Sequence, residues 1–222
     1  MRGTCPSRTA DRRTTVSQKA KGWLLAIAAL AGVWLIRNGA DTQVVPPGPT
    51  AAQSFADGPV PQPGSLLAAP LKPSAPVRLR IPSIRVDAPV TRLGLGPGGR
   101  LDVPPAENRN VVGWYKDGTP PGSEGSAIMA GHVDNAEGRS VFYDLGALRR
   151  GSTVEVVRQD GRTAVFSLDA VEVYENDAFP DKRVYGAAPF ASLRLITCGG
   201  GFSKATGYQG NVVAYAHLTA VR

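Results

Sequence analysis

Hydrophobic and polar positions fall into three successive textures along the chain. Residues 1–21 are polar and basic with no periodicity, which predicts a disordered tail. Fifteen uncharged residues follow, from Gly22 to Ile36, flanked by Lys21 and Arg37 and carrying Trp23 and Trp34 near their ends. The run is short for a membrane span, which needs about 17–25 residues. Snorkelling by the flanking basic side chains extends its reach, and tryptophan near each end suits the membrane interface. Residues 22–37 are therefore expected to be a transmembrane signal-anchor. A cleaved signal peptide has the same charge order, but Asn38-Gly39-Ala40 makes a poor cleavage site. A buried core helix is the remaining alternative. Residues 38–76 hold nine prolines and only Asp41, Asp57 and Lys72 as charges, the composition of an extended spacer.

From Val77 the pattern becomes that of strands. Val77-Arg78-Leu79-Arg80-Ile81 alternates at period 2. Further short runs of strand type cover 85–90, 111–114, 126–130, 153–158, 163–173, 193–197 and 211–218. Turn signals separate them, and Asp160-Gly161 between two alternating runs reads as a hairpin. About eight short strands within 77–222 predict an all-β domain, either a closed barrel or a sandwich. One or two helical turns are expected over 141–148. The glycines of 94–99 lack the strand-then-helix context of a phosphate-cradling loop and read as a turn.

Charge changes the picture only at the N-terminus. The formal net charge is +7, of which +6 belongs to residues 1–37 and +1 to the rest. The folded part is thus near neutral, unlike most nucleic-acid-binding domains. The basic excess before the apolar run orients the tail to the cytoplasm and residues 38–222 to the outside.

Candidate chemistry is sparse. Cys198 is the only cysteine beyond residue 5, so it has no disulfide partner within the strand-rich region. It ends the apolar run Leu195-Ile196-Thr197 and precedes Gly199-Gly200-Gly201. A lone thiol there is either a nucleophile or a small buried apolar residue. His132 follows Ala130-Gly131 at the end of another expected strand, and the second histidine, His217, lies within the last one. Two histidines and one cysteine match no zinc spacing, so no metal or cofactor is expected. Glu172, Glu175 and Asp177 have the charge to attract calcium but no fixed ligand spacing, which equally describes a polar surface.

Ala130-Gly131-His132, the stretch from Gly138 to Gly151 and Leu195-Ile196-Thr197-Cys198 together resemble the sortases, and the region from Val77 onward resembles their actinobacterial class F branch. The resemblance implies a closed eight-stranded sortase β-barrel behind a membrane anchor, with His132 on a loop beside Cys198. It implies a cysteine transpeptidase that cleaves an LPXTG-like sorting signal between Thr and Gly and transfers the acyl group to a cell-wall amine. Its partners would be sorting-signal-bearing surface proteins, a peptidoglycan precursor amine and membrane lipid, with no nucleic acid. Cys198 would attack the carbonyl, His132 would protonate the leaving amine, and Thr197 would help position the carbonyl oxygen or serve only as a strand residue. Residues 174–185 correspond to a wall of the substrate groove.

Two positions depart from the family pattern. Arg194 replaces the first threonine of the strand motif. The arginine expected on the strand after the cysteine is absent, and Gln209 or Asn211 falls near its place. Lys204 is another cation nearby, and Arg194 shares the strand face of Cys198 about 13 Å away along the backbone. A neutral donor makes a weaker bond than a charged one. The alternative reading is accordingly a sortase-like peptide-binding module with weak or no turnover.

Overall fold

The structure, a computed structural model, describes residues 45–55, 67–203 and 205–222. The expected tail and anchor over 1–37 and the cation Lys204 lie outside the described residues. Among the described residues, no helix is long and apolar enough to cross a membrane.

The strands are β1 (Pro76–Ile81), β2 (Val86–Leu93), β3 (Val112–Tyr115), β4 (Gly125–Ala130), β5 (Asp134–Asn135), β6 (Gly138–Arg139), β7 (Thr153–Arg158), β8 (Thr163–Glu175), β9 (Ala191–Ser203) and β10 (Gly207–Val221). Eight of them close a barrel in the order β1-β2-β3-β4-β9-β10-β8-β7, which settles the choice between barrel and sandwich. β2 pairs with β3, and β4 with β9, in parallel, and the other neighbours are antiparallel. Each of the eight expected runs overlaps one barrel strand. The short hairpin of β5 and β6 stands outside the barrel. The helical turns expected over 141–148 shrink to a 3-10 turn at Leu145–Ala147. A five-residue helix, α1 (Asp181–Tyr185), lies between β8 and β9.

Alternation on β9 and β10 builds two cores. Leu193 and Leu195 face Val212, Ala214 and Leu218 inside the barrel, with Phe142, Met129 and Phe166. The intervening Ile196, Val213 and Tyr215 turn outward and join Ile128, Ala170 and Val184 of α1. β4 is buried along its whole length because the outer cluster covers the face that the barrel does not.

Residues 45–222 pack as one unit, which begins well before the boundary expected at 77. The described parts of the proline-rich stretch are attached to the barrel rather than extended away from it. Phe55 is buried in the outer cluster, edge-on to Tyr215 at 5.1 Å between ring centres, with the Arg183 guanidinium 5.1 Å from its own ring. Its backbone N–H donates to Glu172 Oε1 at 2.5 Å. Gln53 accepts from Val171 N–H through its carbonyl at 2.9 Å and donates through its side chain to the Leu148 carbonyl. Further along, Leu71 N–H donates to the Gly122 carbonyl at 2.8 Å. The fully buried Arg158 guanidinium donates to the carbonyls of Pro121 and Lys72 and pairs with Asp160 at 2.9 Å. Proline content alone does not reveal these attachments, because a few apolar and backbone anchors suffice to hold an extended segment on a preformed surface.

Candidate active site

β9 runs past Cys198 instead of ending there. Its partner β4 does end, at Ala130, which pairs with Ile196. Gly131 N–H still donates to the Ile196 carbonyl at 3.1 Å. Strand alternation then turns the N–H of Thr197 toward β10 and that of Cys198 toward the side β4 has vacated. The chain leaving β4 turns away at Gly131. A Cβ at that glycine would lie 2.7 Å from Val141 and Phe142, so only glycine lets this turn pack on the barrel. The turn delivers His132 beside the vacated edge of β9.

Cys198 and His132 open into one groove of about 1140 Å³. Ile128, Ala130 and Ile196 form its floor. One wall comes from the segment after β8, with Phe179 and Tyr185, as expected for residues 174–185. The loop between β2 and β3 makes the opposite wall with Arg100, Leu101 and Pro104. The glycines read only as a turn, at 94–99, belong to this loop. Phe179 and Tyr185 stack on each other at 5.7 Å, and burial pushes the Tyr185 hydroxyl pKa above the ordinary tyrosine value.

The thiol of Cys198 is free and exposed. Crowding by the groove walls and, secondarily, the negative charge of Asp134 push its pKa above the ordinary thiol value. The His132 ring lies 2.7 Å through Nε2 from the Pro104 carbonyl. A carbonyl only accepts, so Nε2 carries a proton, and in the neutral ring Nδ1 holds the lone pair. That ring is held in place by the β2–β3 loop, with one nitrogen left for proton transfer.

The structure separates the residues that the sequence left as alternatives. Asn211 on β10 is the cross-strand partner of Cys198 and lines the groove. Its Nδ2 donates to Asn176 Oδ1 at 2.9 Å, while Asn176 Nδ2 donates to the Tyr208 carbonyl at 3.1 Å. These bonds fix the Asn211 amide, and among the described residues its second N–H has no hydrogen-bond partner. Gln209 is exposed and sits against Gly201, beside a bulge where β9 carries an extra residue and Gly200 takes φ +77°. It does not line the groove. Thr197 is buried, and its hydroxyl has no hydrogen-bond partner among the described residues. Alternation turns that side chain away from Cys198. Arg194 stacks its guanidinium 4.6 Å from the Tyr215 ring centre and does not line the groove. Burial lowers its pKa below the ordinary arginine value. His217 pairs with Asp169 at 2.7 Å, away from the groove. Glu172 is taken by the Phe55 backbone, and among the described residues no cluster suited to a metal ion occurs.

Two groove-lining residues escaped the sequence reading, together with a carboxylate that one of them binds. Arg100 supplies a cation from a loop that looked featureless. Tyr208 lines the groove, and its hydroxyl donates to Asp134 Oδ2 at 2.6 Å. Asp134 lies two residues beyond His132, the one sequence signal that pointed to it.

A family model described as the sortase domain matches residues 79–219. Sortase A from Listeria monocytogenes is similar in structure, with a TM-score of 0.50 at 18% identity over 67% of this chain and 90% of that one. The SrtA sortase from Actinomyces oris gives 0.50 at 16% identity over 72% and 89%. A lid mutant of sortase A from Corynebacterium diphtheriae gives 0.50 at 18% identity over 67% and 73%. At these identities the structural likeness speaks to the fold. No curated protein matches the sequence.

Proposed function

The chain belongs to the sortase family, and on that premise we propose that it is a cell-surface cysteine transpeptidase of the class F, actinobacterial type, anchored by residues 22–37 with its barrel outside the membrane. It cleaves an LPXTG-like sorting signal between Thr and Gly and passes the acyl group to a cell-wall amine. The observation that carries this reading is the shared groove. The cysteine on β9 and the histidine on the β4–β5 turn open into one cleft of about 1140 Å³.

The thiol pKa lies above its ordinary value, so Cys198 rests as the thiol. His132 Nδ1 takes its proton as sulfur attacks the Thr carbonyl carbon. The carbon–nitrogen bond then breaks, and His132 returns that proton to the departing glycine amine. A thioester to Cys198 remains. The carbonyl oxygen gains negative charge during attack. The Cys198 backbone N–H and the free N–H of Asn211 are the donors placed to receive it. Asn211 stands near the place where the family carries arginine, and in this reading the stabilisation rests on neutral donors.

Incubating the full chain with an LPXTG-type peptide and a triglycine acceptor tests the reading by mass spectrometry. The expected result is an acyl adduct on Cys198 and a transfer product. Cys198→Ala abolishes the adduct, and His132→Ala suppresses it strongly. Absence of any adduct or bound peptide overturns the assignment. Peptide binding without an adduct selects the alternative of a binding module, which the raised thiol pKa and the neutral residue opposite it favour.

A further inference from the structure

Bonded to the groove-lining Tyr208 is a carboxylate that the acylation chemistry does not use. Asp134 sits on β5 with its Oδ2 held by the Tyr208 hydroxyl at 2.6 Å. Tyr208 in turn lines the groove with Cys198. Among the described residues, no cationic side chain forms an ion pair with Asp134. Arg139, its direct partner in the β5–β6 pairing, instead holds its guanidinium 4.3 Å from the Tyr143 ring centre. Asp134 does not orient the catalytic histidine either, because the Nε2 contact of His132 is the Pro104 carbonyl.

The position of Asp134 is costly for the first half of the reaction. A negative charge within reach of the thiol disfavours the thiolate, and this charge contributes to the raised pKa of Cys198. A group that opposes the first step yet is held in place by a tyrosine needs another use. The second substrate supplies one. Primary amines of cell-wall peptides are ammonium ions at neutral pH and require a negatively charged docking point.

We propose that Asp134, fixed by Tyr208, is the docking point for the incoming ammonium group and so determines selectivity for cationic acceptors over water. This rests on the transpeptidase reading. The ammonium ion binds the Asp134 carboxylate and loses one proton to His132 Nδ1. The resulting amine attacks the thioester carbonyl carbon, and the carbon–sulfur bond breaks. The second proton lost from nitrogen ends on the Cys198 sulfur, and His132 releases the first to solvent. The products are the amide, the free thiol and one proton. While docked, the cation also offsets the charge that would otherwise oppose departure of the sulfur.

The test compares two nucleophiles on acyl-enzyme formed by the full chain. The attacking amino group of triglycine is an ammonium ion at neutral pH, whereas hydroxylamine is mostly uncharged. In Asp134→Asn, transfer to triglycine is expected to fall about tenfold, as expected for loss of one charge-assisted contact. Transfer to hydroxylamine and the rate of acylation do not fall. Asp134→Glu restores part of the triglycine rate, and Tyr208→Phe loses it in the same direction. Equal losses with both nucleophiles, or none with triglycine, overturn the proposal. A second measurement needs no acylation. Bound triglycine should lower the pH midpoint for iodoacetamide alkylation of Cys198 in the wild-type chain but not in Asp134→Asn. No shift in the wild type also overturns it. Failure of acylation with that shift intact would instead count against the transpeptidase reading alone.

Discussion

Cys198 is solvent-exposed, yet it is not an activated thiol at rest. Crowding by the groove walls and the nearby Asp134 charge both disfavour the thiolate. The sign is therefore fixed: the thiolate fraction at neutral pH is lower than for an ordinary cysteine and grows as pH rises. Alkylation by iodoacetamide should have its midpoint above the usual thiol range of about 8–9, and Asp134→Asn should move it down. Across the strand, Asn211 is expected to matter and Gln209 not. Asn211→Ala should slow acylation on the order of 100-fold, the usual scale for an oxyanion donor, while Gln209→Ala leaves it unchanged. Single-turnover rates with a sorting peptide check both. The sequence identifies Cys198 and His132 from residue type and local motif. It could not choose between Gln209 and Asn211, because two positions on one strand differ only by register. The bulge at Gly200 and the Asn211–Cys198 pairing set that register, and both are properties of the paired strands. Thr197 shows the same limit, since its orientation follows from strand parity at Cys198.

Short runs of strand type made all eight barrel strands legible, and the Asp160-Gly161 turn joins β7 to β8 as expected. Their ends were not legible. Gly199-Gly200-Gly201 looks like a strand terminator, yet β9 continues through it because β10 supplies a partner for the bulged backbone. The hairpin of β5 and β6 has too few residues to show any period. Attachment of residues 45–55 was hidden for a different reason: the information lies in the receiving surface. Phe55 needs Tyr215, Arg183 and Val184, which come together only once β10 and α1 are in place. Phe55→Ala should destabilise the unit by roughly 2–4 kcal/mol, near the lower part of the range for buried phenylalanine because the site is at the molecular edge. Urea denaturation measures this. A variant with unchanged stability would show that the 45–55 contacts contribute nothing to the fold.

At the scale of the molecule, the outer cluster joins two features that the chain order keeps apart. Ile128 and Ile196 belong both to that cluster and to the groove floor, and Val184 belongs to the helix beside the groove wall. Phe55 packs into the same cluster from the N-terminal side. Among the described residues, the chain thus meets the barrel at residues 45–55, on the outer face of β10, before it reaches β1. That order has a mechanical consequence. A force entering through residue 45 does not peel β1 from the barrel at once. It first loads the Phe55–Tyr215 contact and the bonds of Gln53 to Leu148 and Val171. Under tension applied between residue 45 and the C-terminus, a small extension at low force should precede barrel rupture, and Phe55→Ala should erase it. Residues 45–55 would then act as a mechanical fuse, giving way under a pull while the strands that hold Cys198 and His132 stay in register.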